Sequence, residues 1–268
     1  MRHSLPQNPQ FYVTAPQDCP YLENQVERKL FTALYGSNSS RLNNSLSKQG
    51  FRRSQNVLYR PSCANCNACM SARISSREFK PSKSQKRILL KNSDIVRTIN
   101  PPLATDPQYD LFKHYITSRH PNGGMSDMDA DDFTAMIEET NVESKLIEYY
   151  VKKNGELELI SFSLVDILDD GISMVYSVFN PDFNERSLGT YMILDHNRLA
   201  LEMTLKFVYL GYWVKGSSKM DYKKRFNPLE VFTDDKWVCS SKVDYRKPSI
   251  ENSSKKKLGV PIYLPSDQ

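Results

Sequence analysis

Apolar residues in the C-terminal half of the chain follow the spacing of strands first and of a long helix afterwards. SKLIEYYVKK, ELELISFSLVDIL and ISMVYSVFN, within residues 144–180, each predict a strand. The polar junctions NGE and DDG between them predict hairpin turns, so neighbouring strands should run antiparallel. The apolar stripe of SLGTYMILDHNRLALEMTL predicts a helix, and KFVYLGYWV predicts one more strand. The pattern therefore predicts antiparallel hairpins, a helix and a further strand.

The N-terminal half mixes shorter helical and extended patterns. ENQVERKLFTAL (23–34) has apolar residues at a helical spacing and predicts a helix. SSRLNNSLSKQG (39–50) predicts a second helix closed by its glycine, whereas FRRSQNVLYRP (51–61) predicts a strand ended by proline. SKSQKRILLKN (82–92) predicts a basic helix. Two prolines stop the next strand, and we place a domain boundary near residues 100–105.

Charge is distributed unevenly along the chain. Residues 51–91 carry ten Lys or Arg against one Glu, whereas residues 127–170 carry thirteen acidic residues against three basic ones. Residues 215–257 return to twelve basic residues against six acidic ones. Solvated faces that pair with each other on folding would account for these runs. A combined basic surface that neutralises the phosphates of RNA would account for them as well.

Three of the five cysteines, Cys63, Cys66 and Cys69, lie in the stretch YRPSCANCNACMSARI. The chain has no apolar run long enough to cross a membrane and no signal-like N-terminus, so we expect a cytoplasmic protein with reduced thiols and no membrane partner. A zinc site needs four ligands, and the nearest distant thiol is Cys19, which we expect to approach the cluster. Thiols that pack a tight turn are the preferred interpretation, and a bound metal is the alternative.

The start of the long predicted helix resembles the phosphate-binding loop of GNAT acyltransferases. Arg186 and Gly189 match the beginning of the motif R/Q-x-x-G-x-G/A, whose backbone N–H groups and helix dipole bind a pyrophosphate. Tyr191 stands where the second small residue belongs, which disfavours an ordinary coenzyme A acetyltransferase. The alternative is a helix start that needs Gly189 only for packing. The resemblance implies an α+β protein with a GNAT-like fold, in which helices flank an antiparallel-rich central sheet.

Three longer stretches together resemble the bacterial aspartate/glutamate leucyltransferases, relatives of the arginyl-tRNA–protein transferases. They are GFRRSQNVLYRPSCANCNACMSARI (50–74), NERSLGTYMILDHNRLALE (184–202) and GYWVKGSSKMDYKKRFNPLEVF (211–232). The resemblance implies transfer of leucine from leucyl-tRNA to the N-terminal Asp or Glu of a protein, which marks that protein for degradation through the N-end rule pathway. Arginine stays open as the alternative donor amino acid.

The sequence and the resemblance together lead to expectations about domain organisation and cofactors. We expect a basic, cysteine-containing α/β region over residues 1–100, a GNAT-like transferase domain over 101–240 and a basic tail over 241–268. No cofactor is required, because an aminoacyl ester is already activated and no P-loop motif is present. The eukaryotic relatives are similar in carrying cysteine pairs interpreted as a metal or iron–sulfur site, which makes zinc or an iron–sulfur cluster a tentative possibility here. The tentative ligands are Cys19, Cys63, Cys66 and Cys69.

The reaction implied by the resemblance needs positioned substrates and a stabilised oxyanion rather than a nucleophilic triad. Tyr222 is a candidate catalytic residue that would hydrogen-bond the tetrahedral intermediate or the leaving ribose hydroxyl, and Asp195 is a candidate to orient the attacking amine. Ordinary surface or ion-pair roles are the alternative for each. A different class of function, a non-catalytic zinc protein that binds nucleic acid, also fits the cysteines and basic blocks. Arg60 and Arg73 are the expected receptors for the carboxylate of an N-terminal Asp or Glu, with a surface or structural ion pair as the alternative for each. The other expected substrate-binding residues are Arg186, Gly189, Lys219 and Lys223.

Overall fold

The computed structural model describes residues 9–121 and 123–243, which belong to two compact units. Unit 1 combines the residues up to Arg73 with those from Leu210 onward, and unit 2 spans Ile74–Tyr209. No helix among the described residues is both long and apolar enough to cross a membrane.

The predicted segments 1–100, 101–240 and 241–268 do not coincide with these units. The chain passes from one unit to the other within strands, between Arg73 and Ile74 and again between Tyr209 and Leu210, and not through a linker near residues 100–105. Residues 244–268, which make up most of the expected basic tail, lie outside the described residues.

The helices and strands of the described residues are numbered here in chain order. The α-helices are α1 (Ser39–Lys48), α2 (Lys83–Lys91), α3 (Asp106–Arg119), α4 (Ala130–Glu138) and α5 (Leu188–Glu202). The strands are β1 (Tyr12–Val13), β2 (Gln17–Asp18), β3 (Val26–Glu27), β4 (Lys29–Ala33), β5 (Arg52–Ser54), β6 (Val57–Pro61), β7 (Cys69–Ser75), β8 (Val96–Asn100), β9 (Ser144–Lys153), β10 (Glu156–Ile167), β11 (Gly171–Phe179), β12 (Phe207–Val214), β13 (Leu229–Thr233) and β14 (Lys236–Cys239). Short 3₁₀-helices cover Pro181–Arg186, Ser218–Arg225 and Ser240–Lys242.

Unit 2 is built on an antiparallel sheet with strand order β11-β10-β9-β8, and the first residues of β12 pair in parallel with β11. The turn between β9 and β10 uses Asn154 and Gly155, both with positive φ, as a tight Asn-Gly hairpin requires. Helix α5 connects β11 to β12. The predicted order of hairpins, helix and further strand is therefore confirmed, and with it the α+β, GNAT-like class.

The core of unit 2 lies between α3, α4 and one face of this sheet. Helix α3 starts at a capping interaction in which Gln108 Oε1 accepts a hydrogen bond from the N–H of Thr105 at 3.0 Å. Helix α4 starts with the reverse contact, because its N-cap residue Asp129 accepts a hydrogen bond at Oδ1 from the N–H of Asp132 at 2.9 Å. The two helices contribute Leu111, Phe112, Ile116, Phe133, Met136 and Ile137 to this core, and β9, β10 and β11 contribute Leu146, Phe162, Leu164 and Val178.

Unit 1 contains a four-stranded sheet of order β1-β4-β6-β5. It also contains strands that neighbour one another in the order β14-β13-β7-β12. The helix predicted for residues 23–34 is wrong, because Lys29–Ala33 is strand β4 and pairs with both β1 and β6. Pairing on both sides satisfies the backbone of β4, so tertiary contacts override the helical spacing of its apolar residues. The helix predicted for residues 39–50 is confirmed as α1, and Gly50 follows it with a φ of +81°.

Candidate functional site

The segment before α5 places Arg186 against a carboxylate of the same unit. The guanidinium donates to both carboxylate oxygens of Asp94, at 2.8 and 2.9 Å, and this pairing lowers the pKa of Asp94. Ser187 starts the helix in a left-handed conformation, with φ 53°. A Cβ added to Gly189 would lie 3.3 Å from the Phe179 ring, so close packing alone accounts for this glycine. The expected phosphate contacts of Arg186 and Gly189 stay predictions.

Side chains at the C-terminal end of α2 bind main-chain carbonyl oxygens of the segment before α5. Lys91 Nζ donates to the carbonyl oxygen of Glu185 at 2.6 Å, and Asn92 Nδ2 donates to the carbonyl oxygen of Arg186 at 2.9 Å. Asn92 is buried. Helix α2 and the loop before α5 are therefore one connected structure.

Asp195 lies on α5 and is completely buried. Its Oδ2 accepts hydrogen bonds from Arg97 Nη1 at 3.2 Å and from the Tyr149 hydroxyl at 3.0 Å. Arg198 Nη2 lies 3.3 Å from Oδ1 and forms an ion pair with it, but Oδ1 accepts no hydrogen bond from the described residues. Arg97 also bonds Glu202, so one arginine of the edge strand β8 holds two carboxylates of α5. These contacts favour a structural role for Asp195 over the predicted orientation of the attacking amine.

His196, the next residue of α5, is also completely buried, and neither ring nitrogen has a hydrogen-bond partner among the described residues. Burial, with a smaller contribution from the charge of Arg97, lowers the pKa of His196 to about 3. An imidazole with this pKa is neutral throughout the physiological range and is a weak proton acceptor.

Arg73, one of the two expected receptors for an acidic N-terminus, is engaged within unit 1. Its Nε donates to Glu230 Oε2 at 2.7 Å, and its guanidinium lies 4.2 Å from the centre of the Trp237 ring. The residue is buried. Arg73 therefore already has a carboxylate partner and an aromatic partner, which is the structural alternative that the sequence left open.

Arg60, the other expected receptor, forms no ion pair within the part of the chain that the structure describes. Its guanidinium lies 4.9 Å from the centre of the Phe51 ring and donates to the carbonyl oxygen of Gln49 at a long 3.4 Å. Burial lowers the pKa of Arg60, and the negative charge of Asp235 acts in the opposite direction. A half-buried, stacked guanidinium of this kind retains donors for a carboxylate ligand.

The expected site residues after β12 divide into exposed and buried ones. Lys219 and Tyr222 are exposed. Lys223 is buried, and its Nζ donates to the carbonyl oxygen of Tyr212 at 2.6 Å. Burial, followed by the charge of Arg52, lowers the pKa of Lys223 to about 7. This amine is therefore chemically able to accept or release a proton near neutral pH, whereas Lys219 keeps the freedom to contact phosphate.

The sequence analysis did not identify Tyr212, which connects several segments of unit 1 and also accepts the hydrogen bond of Lys223. Its single hydroxyl proton is shared between the carbonyl oxygens of Tyr59 and Gly50, at 2.9 and 3.1 Å. The preceding Gly211 has a φ of +81°, and a Cβ there would lie 3.4 Å from Arg52 Nη2. A glycine inside the apolar run FVYLGYWV was the signal for such a close approach.

The four cysteines expected as tentative metal ligands lie in one neighbourhood of unit 1. Burial raises the pKa of Cys69 to about 12 and also raises that of Cys63, with further contributions from Cys66 and Cys19. The N–H of Ala68 donates to Cys66 Sγ at 3.5 Å. Four thiols would suit zinc or an iron–sulfur cluster chemically. However, no three His, Cys, Asp or Glu side chains among the described residues converge to hold a metal ion, and we assign no step to a metal.

Comparisons with known proteins cover both units. The family model for the N terminus of arginine-tRNA-protein transferase matches residues 17–87, and the model for its C terminus matches residues 107–233. A curated relative from Ruegeria pomeroyi, named aspartate/glutamate leucyltransferase, is 59% identical over 88% of this chain and 86% of its own length. A relative of the same name from Paracoccus denitrificans is 54% identical over 88% of each chain.

Solved structures resemble the chain at low sequence identity. FemX matches 65% of this chain and 60% of its own, with 9% identity and a TM-score of 0.44. The C-terminal domain of a lysylphosphatidylglycerol synthetase from Agrobacterium fabrum matches 63% of this chain and 50% of its own, with 9% identity and a TM-score of 0.41.

Proposed function

This chain belongs to the arginine-tRNA-protein transferase family, and from that premise we propose that it transfers leucine from leucyl-tRNA to the N-terminal Asp or Glu of a protein. The observation that carries the proposal is 54–59% identity, over 88% of the chain, to curated relatives named aspartate/glutamate leucyltransferase. The product, a protein with a new N-terminal leucine, would enter degradation through the N-end rule pathway.

The reaction is aminolysis of an ester and needs no added energy source. The neutral α-amine of the acceptor attacks the carbonyl carbon of the leucyl ester, the new C–N bond forms, and the C–O bond to the terminal ribose breaks. The ribose oxygen leaves with a proton, and the amine loses one. Because an α-amine has a pKa of about 8, a substantial fraction of it is neutral near pH 7.5, and positioning can supply much of the catalysis.

Arg60 is the residue that we propose for the acidic side chain of the acceptor. It lacks a carboxylate partner among the described residues, whereas Arg73 is already held by Glu230 and Trp237. Stacking on Phe51 restrains the guanidinium, so less conformational entropy is lost when a carboxylate binds. Tyr222 and Lys219, both exposed, are proposed to act on the donor ester and its phosphates.

The purified protein is expected to transfer labelled leucine from leucyl-tRNA to peptides that begin with Asp or Glu, and not to a peptide that begins with Lys, in the absence of ATP. The measurement is the label recovered in peptide, with arginyl-tRNA as the parallel donor and intact aminoacylation verified. Transfer of arginine alone would keep the family reaction and exclude leucine as the donor. No transfer from either donor would exclude the proposed activity.

Arg60→Ala is expected to raise the acceptor KM for an Asp peptide by about 10–150-fold, because a charge-assisted hydrogen bond contributes about 1.5–3 kcal/mol. The preference for an Asp peptide over an Asn peptide should fall by a similar factor. Arg73→Ala is the matched comparison, since it removes an equal charge that Glu230 already neutralises. Arg73→Ala should lower thermal stability and leave the Asp/Asn preference of the remaining folded enzyme unchanged. Equal loss of discrimination in both variants would contradict this assignment.

A further inference from the structure

Helix α2 presents one strongly basic face to solvent. Lys83, Lys86, Arg87 and Lys91 are all exposed, and at 100° per residue they lie on one side of the helix. Gln85, together with Asn92 just after the helix, faces the opposite, buried side. The helix contains no acidic residue. Four cations therefore share a face about 12 Å long, from the 1.5 Å rise per residue.

These cations have no carboxylate partners within the described part of the chain. Lys83, Lys86 and Arg87 form no ion pair there, and Lys91 donates only to the carbonyl oxygen of Glu185. No ion pair therefore joins them to the acidic block at residues 127–170 within the described residues. Two like-charged pairs at i and i+4, Lys83 with Arg87 and Arg87 with Lys91, destabilise the isolated helix. A bound polyanion would remove this repulsion.

Other arginines of the same unit differ in this respect. Arg97 is held by Asp195 and Glu202, and Arg186 is held by Asp94. Arg97 and Arg186 are thus held by carboxylates of unit 2, whereas Lys83, Lys86 and Arg87 of α2 are open to solvent.

We propose that the exposed face of α2 is the docking surface for the phosphodiester backbone of the tRNA donor. This inference rests on the proposed function, which supplies an RNA substrate. The face ends at Lys91, which contacts the segment Glu185–Arg186, so RNA bound along α2 is led toward the start of α5. A row of cations along one helix face can neutralise several phosphates of one strand and release their counterions.

The composition of the face selects RNA over an acidic protein. Protein interfaces are centred on apolar and aromatic residues, whereas Leu90, 73% exposed, is the single large apolar side chain on this face. Cations without an apolar core are typical of surfaces that position phosphates. Binding of RNA to this face should therefore be independent of the nucleotide sequence and should weaken as the salt concentration rises.

The test is the double variant K83A/R87A, with K152A/K206A as the matched control. Lys152 and Lys206 are exposed in the same unit, and their loss changes the net charge equally. The affinity of each variant for deacylated tRNA is measured across a salt titration. K83A/R87A should weaken binding on the order of tenfold or more near 0.1 M salt and reduce the slope of log affinity against log salt by about two. The control should bind like the wild type.

Steady-state kinetics supply the second readout. K83A/R87A should raise the KM for leucyl-tRNA while kcat and the acceptor-peptide KM stay unchanged. Wild-type tRNA affinity and salt slope in K83A/R87A would overturn the inference, as would equal weakening in the control. A raised KM for an acidic protein acceptor with unchanged tRNA affinity would assign the face to protein and also overturn the inference.

Because the binding assay needs no turnover, failure of the proposed activity is distinguishable from failure of this surface to bind tRNA. K86E alone repeats the test if the double variant does not fold.

Discussion

Asp195→Ala is expected to lower the free energy of unfolding by about 3–5 kcal/mol, measured by chemical denaturation. Removal of one partner from a buried ion pair leaves the other charge without compensation, which has a cost of this size. Here the substitution leaves the buried Tyr149 hydroxyl without its acceptor and leaves Arg97 with only the half-exposed carboxylate of Glu202. We expect any loss of leucyl transfer to follow the loss of folded protein.

Glu202→Ala is the matched control, because Glu202 is the second carboxylate that Arg97 contacts but its side chain is 50% exposed. An exposed pair contributes about 0–1 kcal/mol, so this variant should stay close to the wild type in stability. A stably folded Asp195→Ala protein with greatly reduced kcat would reverse our structural assignment and restore the predicted role in orienting the amine.

Acidification is expected to reduce stability steeply through His196. In the folded protein its pKa is about 3, below the value of about 6.5 in an unfolded chain, so the unfolded state binds a proton that the native state does not. The stabilisation is therefore present above about pH 6.5 and is lost as the pH falls toward 3. The free energy of unfolding should decrease by up to about 1.4 kcal/mol per pH unit in this window, or roughly 2 kcal/mol between pH 7 and pH 5.

His196→Leu isolates this contribution, because it keeps an apolar group of similar size and removes the titrating ring. Its unfolding free energy should change less between pH 7 and pH 5 than that of the wild type, by the roughly 2 kcal/mol assigned to the histidine. His114→Leu removes a histidine whose side chain is 47% exposed and serves as the control. The same pH dependence in the wild type and in His196→Leu would show that another group is responsible.

Local pattern predicted the elements of unit 2 well because each of them is complete within a short stretch. The Asn-Gly turn, the capping residues of α3 and α4 and the apolar stripe of α5 all act over a few positions. The strand β4 was mistaken for a helix because its partners, β1 and β6, come from elsewhere in the chain. Two-sided pairing of that kind leaves no mark in the strand's own periodicity.

The same limit applies to the candidate site. Arg73 and Glu230 are 157 positions apart, so no local pattern could show that this expected receptor was already paired. The burial of Lys223 beneath Tyr212 likewise depends on the path of the chain after β12. What the sequence could supply was the identity of the chemical groups and the stretches that carry them. The choice between Arg60 and Arg73 needed the fold.

The bidentate pair between Arg186 and Asp94 gives the loop before α5 an internal counterion. A phosphate that binds Arg186 therefore exchanges with a carboxylate of the same protein and displaces no salt ion from the arginine. Its affinity depends on how readily Asp94 turns toward water and only weakly on the ionic strength of the solution. The open cations of α2 behave in the opposite way, because a phosphate that binds them releases counterions to the bulk. We therefore expect salt to control how firmly RNA is held along the proposed α2 surface, and Asp94 to control the access of a phosphate to Arg186.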